Sequence, residues 1–422
     1  MTAQPSSAEV RSISPIWPLW KRLGFRFAVV YGLLYVTAGL FLNWRPVTEW
    51  AAWSVLGRVL PVRSPQNESG DTLENYVLMG LYLVVAVMIA LLWSVLERRG
   101  NLTERLSWPV HTVLRLYLGF VLLGYGWAKI LLAQMPALQL TDLTVPLGEM
   151  SPMGLLWRSV AFSPLYEVMG GVAEAVAGTL LLFRRTSLPG ALLGAGVLAY
   201  VFLLNLSFDV PVKLYSLHLL LFSLLTLTPF LPRLSALLLN SRVEPIHFPT
   251  RHARPLRHWT AVGLQTVVLL AALVVPPLIM AQSKRGSATI PSSGALAGIY
   301  RVLDDSRPAA SSLSEDRRWH TVTFNDRFYR QGGAKGEIFL PVPLRVELVN
   351  GTRLNGSYQD DPTASTVQID LAGVAYMFKY QIKGGLQLTA PDGTRLSLGP
   401  DTDATRLTTR GFHWVNEVPD NR

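Results

Sequence analysis

The chain has 422 residues, no cysteine, a formal net charge of +10, and 50% apolar against 16% charged residues. Soluble globular chains carry about 25% charge, so a uniformly soluble protein is excluded, and the missing cysteine excludes disulfides, thiol exchange and cysteine-ligated metal in this chain. The basic residues flank apolar runs of about 20 residues, the length that crosses a hydrocarbon core, so the charge reads as membrane topology and not as a nucleic-acid surface.

Residues 1–24 read as a cytoplasmic N-terminal segment, polar and then Trp/Pro-rich, and Lys21, Arg22 and Arg26 flank the first span. The first span is expected at 25–42, as an uncleaved anchor, because the run is too long for the apolar centre of a signal peptide. Trp44, Trp50 and Trp53 follow, so 45–60 reads as a helix lying on the membrane surface, and 64–74 as a plain loop. A second span at 76–96, closed by Glu97, Arg98 and Arg99, completes an N-terminal hairpin over 25–109. The third span is expected at 110–133. Residues 134–158 then read as a long loop, in which Pro136, Pro146 and Pro152 argue against one continuous helix. The fourth (164–183), fifth (188–206) and sixth (214–231) spans complete a four-helix core over 110–232, with a short turn at 207–213. A basic linker, 233–258, carries Arg233, Arg242, Arg251, Arg254 and Arg257 and leads to a seventh span at 259–281, with Pro276-Pro277 near its end. Counting Lys and Arg at the span ends puts the N-terminus in the cytoplasm and, after seven crossings, the C-terminal domain outside. A seventh span that does not cross would leave that domain in the cytoplasm.

The tail, 292–422, changes period. Short apolar or alternating runs at 338–348, 367–371, 375–382, 386–388 and 395–398 are punctuated by Asn350-Gly351, Asn355-Gly356, Gly384-Gly385 and Asp392-Gly393. Turns at such spacing mean hairpins, hence a sandwich or an up-and-down barrel. Gly411-Phe412-His413-Trp414 reads as a final strand. The expected fold is thus a polytopic α-helical membrane bundle of about seven transmembrane helices followed by an all-β C-terminal domain.

Charge inside a membrane is costly, so its placement is the best functional clue in the chain. Glu174 follows Glu167 by seven residues, two turns of one face and roughly 10 Å deeper. Glu167, Lys129, Asn205, Asp209, Lys213 and His218 are expected to share the outer part of the bilayer, with Glu174 closer to mid-membrane. The expectation is a polar pocket among the third to sixth spans, open toward the external side. Glu174, Glu167, Lys129 and His218 are its candidate catalytic groups, and Asn205, Asp209, Lys213 and Tyr125 its candidate ligand-binding groups. Lys129, Glu167 and Lys213 can equally extend to the interface, and Asp209-Val210-Pro211 is also an ordinary turn. Glu174 and His218 lie deeper and favour a buried network, whether chemical or one that locks helices together. Gly170, Gly171, Gly178, Gly190, Gly194 and Gly196 allow close helix packing or leave room for a flat ligand. Tyr125 belongs to an interfacial belt or to an aromatic wall. His247, His252 and His258 have no standard metal spacing and suit lipid headgroups better. No metal site, P-loop, dinucleotide fingerprint, HExxH or nucleophile elbow is present.

Residues 116–129 (LYLGFVLLGYGWAK), 167–183 (EVMGGVAEAVAGTLLLF) and 205–218 (NLSFDVPVKLYSLH) resemble the DoxX-like family of bacterial membrane proteins. The likeness spans about 110–231, and the tail through Gly411–Glu417 is similar to tails on long members of that group. The resemblance implies a small helical bundle with a Gly/Lys-bearing helix and a Glu-Gly-Gly helix, in a bacterial inner membrane. Some members are subunits of thiosulfate:quinone oxidoreductases, and most have no assigned reaction. A membrane bundle with an external β-domain is also distantly similar to vitamin K-dependent carboxylase-like proteins, in which a lysine serves as base; Lys129 and Lys213 are the lysines available here.

Three functions are therefore weighed. The first is a membrane oxidoreductase component that takes a quinone or another lipid-soluble small molecule and needs a partner or diffusible cofactor for electrons. The second is a non-enzymatic anchored protein whose β-domain binds an extracytoplasmic protein partner. The third, proton-coupled transport, ranks behind them, because no inverted repeat is visible.

Overall fold

The computed structural model describes residues 17–38, 42–62, 69–98, 101–135, 137–243, 263, 266–267, 270–279, 294–325 and 342–409. The expected final strand at 411–414 and the three linker histidines lie outside the described residues. The chain divides into two compact units, one of Met1–Leu122, Val176–Leu206 and Pro211–Arg251, the other of Leu123–Ala175, Ser207–Val210 and His252–Arg422.

The helices are α1 (Leu19–Leu33, continued as a π-helical turn Leu34–Ala38), α2 (Arg45–Leu56), α3 (Leu73–Leu96), α4 (Asn101–Ile130), α5 (Leu140–Leu143), α6 (Pro152–Phe162), α7 (Pro164–Leu182), α8 (Ser187–Ser207), α9 (Lys213–Leu227) and α10 (Leu231–Leu238). A short apolar helix, α11 (Leu270–Ile279), follows. Five segments among the described residues are long and apolar enough to cross a membrane, not the seven expected: α3, α4, α7, α8, and α9 run on through α10. The first expected span is shorter as an α-helix, 15 residues before the π turn. The seventh expected span lies largely outside the described residues.

In the first unit, Arg26 is not a flanking charge but one of the most buried side chains, 1% exposed. Its Nε donates to Thr103 Oγ1 at 2.9 Å and its Nη2 to Glu97 Oε2 at 3.0 Å. Glu97 also accepts from Trp93 Nε1 at 2.7 Å. This satisfied ion pair fixes α1 against the turn between α3 and α4. The surface helix expected at 45–60 is α2, with Trp50 and Trp53 exposed. It ends at Gly57, whose φ of 62° is the left-handed cap that glycine takes without strain. Leu118, Leu122, Ala177, Leu181, Ala191 and Leu198 form the centre of the helical core.

In the second unit, the Pro-rich stretch after α4 is broken into α5, a 3-10 turn Leu147–Glu149, and α6. α6 begins where sequence alone suggested loop: the Ser151 hydroxyl accepts from Gly154 N–H, and Pro152 occupies the first turn, where its missing N–H costs nothing. The tail is a closed antiparallel barrel of eight strands in sequence order, β1 (Gly298–Asp305), β2 (Trp319–Phe324), β3 (Leu344–Leu348), β4 (Arg353–Asp361), β5 (Thr366–Leu371), β6 (Val374–Ile382), β7 (Leu386–Thr389) and β8 (Arg395–Pro400), with β8 pairing back to β1. This is the up-and-down alternative, and closure leaves no free edge strand. Strand alternation sends Val322, Phe324, Leu344, Val346, Val367 and Ile369 inward, all without exposed surface, so side chains fill the barrel. Asn355-Gly356 is not a turn but lies inside β4. A Cβ on Gly356 would fall 2.1 Å from the Asp370 carbonyl oxygen, so the residue serves close strand approach.

Candidate functional site

Two helices of the second unit meet backbone to backbone. A Cβ on Gly171 would lie 2.7 Å from both Gly126 O and Lys129 Cβ, and one on Gly126 would lie 2.8 Å from Gly171 O. Close contact through small residues is the usual device of helix pairs in lipid. Gly170 extends the groove: its missing Cβ would sit 3.8 Å from Lys129 Cδ. The Gly-Gly pair on α7 therefore makes room for the lysine stem from α4, and the ammonium reaches Glu174 one turn further along.

Lys129 Nζ lies 2.5 Å from Glu174 Oε1, with the two side chains 14% and 4% exposed. The other carboxylate oxygen, Glu174 Oε2, is buried and has no hydrogen-bond partner. The indole N–H of Trp127 and the amide oxygen of Gln134, in the same unit, are likewise buried without partners. Tyr125 presents its ring 6.0 Å from Lys129 Nζ. Glu167, fully buried, accepts from Met135 N–H at 3.2 Å, holding the chain just beyond α4. Lys129, Glu174 and Tyr125 thus form one cluster, and Glu167 fastens the segment that follows it.

That segment is tied to the barrel. Asn325, without exposed surface, accepts from Thr141 N–H at 3.2 Å and donates to Thr141 Oγ1 at 2.9 Å and Gln139 Oε1 at 3.0 Å. Arg345 donates to Thr141 O at 2.7 Å, and Arg353 pairs with Glu149.

The remaining expected residues have other partners. In the first unit His218 donates from Nδ1 to Leu214 O at 2.6 Å, and its Nε2 is 2.6 Å from Tyr31 Oη. The carbonyl can only accept, so in the neutral ring Nε2 takes the Tyr31 proton. The Tyr35 ring stacks on His218 at 4.0 Å. Asn205 Nδ2 donates to Ser216 Oγ at 2.9 Å, a helix-to-helix tie. Lys213 is 3.6 Å from Asp71, whose oxygens also accept Lys213 N–H and Leu214 N–H at 2.8 and 2.9 Å, so Asp71 caps α9. Asp209 is exposed in the turn with φ 51°, a left-handed conformation that Asp tolerates.

Sequence reasoning missed Tyr31 and Tyr35, read only as part of an anchor, and Asp71, read as loop. The spacing of four between the tyrosines was the available signal, since it puts both on one face of a helix. No acid–histidine group suited to a metal occurs among the described residues.

No family model matches the chain, and no solved structure matches it. The chain is similar to the uncharacterized protein YwoB of Bacillus subtilis (strain 168), 27% identical over 120 residues, which cover 28% of this chain and 75% of that protein.

Proposed function

We propose that this chain is an integral membrane component of an oxidoreductase system and takes a lipid-soluble ligand of the quinone class against Glu174 and Lys129. The observation that carries the reading is the half-used carboxylate: Glu174 is 3% exposed, one oxygen holds Lys129, and the other has no donor. Leaving a buried acceptor unpaired costs about 1–3 kcal/mol, which a quinol hydroxyl or a transferred proton relieves. The Lys129 ammonium has three N–H donors, and Glu174 takes one; the others suit a ligand carbonyl. Glu174 then exchanges the proton while Lys129 holds the oxygen, and Tyr125 offers a ring face. The chain has no redox motif of its own, so a partner or a diffusible cofactor handles the electrons. The resemblance to DoxX-like proteins at these helices supports the same reading. The test is organic extraction of protein purified with its lipids, with ultraviolet–visible spectra of the extract in oxidised and reduced form. A quinone retained by the protein and depleted in Glu174→Gln is expected; its absence from the wild-type protein overturns the reading.

A second reading, an anchored binding protein, draws on the filled barrel. With its interior occupied by Val322, Phe324, Leu344 and Val346, a partner meets only its outer surface.

The bonds from Asn325, Arg345 and Arg353 to residues 139–149 support a barrel on the membrane side where α4 ends. α7, α8 and α9 then cross in turn, so α9 leaves on the opposite side. The apolar helix α11, between α10 and the barrel, is where the return crossing falls. Positive charge at the ends of α7 and α10 favours that opposite side as cytoplasmic, hence an extracytoplasmic barrel at a bacterial inner membrane.

A further inference from the structure

We propose that the ligand reaches Glu174 and Lys129 sideways from the lipid, through an opening on α7 whose floor is Gly170, and that Gly170 sets which ligands pass. The inference rests on the reading of Glu174 and Lys129 as the ligand-binding pair, and it names the ligand's form: a narrow oxygen-bearing ring on a long apolar chain. Tyr166, Gly170 and Glu174 are spaced by four, so they follow one stripe of α7. Exposure falls along that stripe: Tyr166 is 49% exposed, Gly170 is also exposed, and Glu174 is 3% exposed. An open surface thus leads within about two turns to a buried carboxylate whose second oxygen has no hydrogen-bond partner.

The other wall comes from α4. Tyr125 is exposed, with its ring 6.0 Å from Lys129 Nζ. The Lys129 stem lies over Gly170, 3.8 Å from where a Cβ would stand, and its ammonium holds Glu174 Oε1. That stem therefore stands between the opening and the carboxylate. It is a flexible four-carbon chain, and turning it aside uncovers the open oxygen. A methyl at position 170 leaves room for the stem, and a longer side chain takes the space it turns through. Gly170 lies about 9 Å along α7 from its start at Pro164. α7 is long and apolar enough to cross a membrane, so the opening falls at hydrocarbon depth and not at the surface. Its rim, Tyr125, Tyr166 and Met169, is exposed and carries no charge. A ligand whose chain already lies in lipid meets this rim directly. Its chain stays over Tyr166 and Met169 while its oxygens reach the Lys129 ammonium and Glu174 Oε2.

The experiment places the full chain in phosphatidylcholine nanodiscs and measures binding, against empty nanodiscs, of a decyl-substituted 1,4-benzoquinone and of the same ring without the chain. A third probe carries a photoreactive diazirine on the decyl chain, and its attachment sites are mapped by mass spectrometry. Wild type is expected to retain the decyl quinone and not the bare ring, with the diazirine on Tyr125, Tyr166 or Met169. Gly170→Leu is expected to bind the decyl quinone about tenfold more weakly, as the loss of a charge-assisted hydrogen bond implies. Gly170→Ala should bind it as wild type does, and so should Val172→Trp, which adds bulk on the opposite flank of α7. Binding that Glu174→Gln weakens and Gly170→Leu does not overturns the opening and leaves the site reading standing. Labelling confined to other residues also overturns it, and decides the matter if Gly170→Leu fails to fold. A wild-type dimer that Gly170→Leu converts to a monomer gives this face to a second copy of the chain and likewise overturns it. Retention of neither quinone by wild type overturns the site reading, and the opening with it.

Discussion

Lys129 reaches Glu174 across a helix contact that Gly126 and Gly171 bring to backbone distance, and the 2.5 Å pair leaves one carboxylate oxygen open. Breaking such a pair by removing one partner strands a buried charge, at a cost of about 3–5 kcal/mol. Lys129→Met and Glu174→Gln are each expected to lower the melting temperature in detergent sharply. The double variant should fall by less than the sum of the two. Additive losses, read in a double-mutant cycle, contradict direct pairing.

Gly171→Ala puts a methyl into Gly126 O and the Lys129 stem. Overpacking of this kind costs about 1–3 kcal/mol. Gly196→Ala, on α8 with open space around it, should leave the melting temperature unchanged. Equal behaviour of the two variants would show that α4 and α7 are not in backbone contact.

Asn325→Ala removes the partner of Thr141 N–H and of Gln139, with about 1–3 kcal/mol for each buried group left unpaired. Hydrogen exchange should rise in 139–145 while β5 and β6 keep their protection. Unchanged exchange in 139–145 would mean that this tie does not hold the segment.

Asp316 is held below its ordinary value of 3.8 by hydrogen bonds from the Arg318 side chain and backbone. A carboxylate depressed in the fold contributes stability above its unfolded value, and that stability is lost as pH falls through the folded value. Protection of β2 and β3 against hydrogen exchange should therefore drop in acid below about pH 4, and Asp316→Asn should flatten that dependence. A steeper dependence in the variant contradicts the assignment.

The absence of cysteine makes topology directly measurable. Ser151→Cys and Ser306→Cys should react with an impermeant maleimide from the same membrane side, and Ser241→Cys from the other. Labelling of Ser306 and Ser241 from one side would remove the crossing between them.

What could be read in advance follows from which signals are local. Span lengths and hairpin turns are local, so α3, α7 and α8 begin and end within a few residues of expectation, and β5 to β8 lie where the alternation put them. β4 was invisible because Arg353-Leu354-Asn355-Gly356-Ser357 holds one apolar residue and an apparent turn. β1 was hidden because a register shift between Val302 and Asp304 breaks its alternation. The charged residues were legible as costly, but their pairing was not. Whether Lys129 meets Glu167 or Glu174 depends on the rotation of α4 against α7, which the glycine contact sets. Tyr31 and Tyr35 face His218 through a π turn, which no helical period anticipates.

Infrared difference spectroscopy of the full chain in lipid, loaded with quinone and cycled electrochemically, tests the open Glu174 oxygen most directly. A carboxyl band that changes with the ligand's redox state and disappears in Glu174→Gln is the predicted result. Identical difference spectra for wild type and Glu174→Gln would contradict the account.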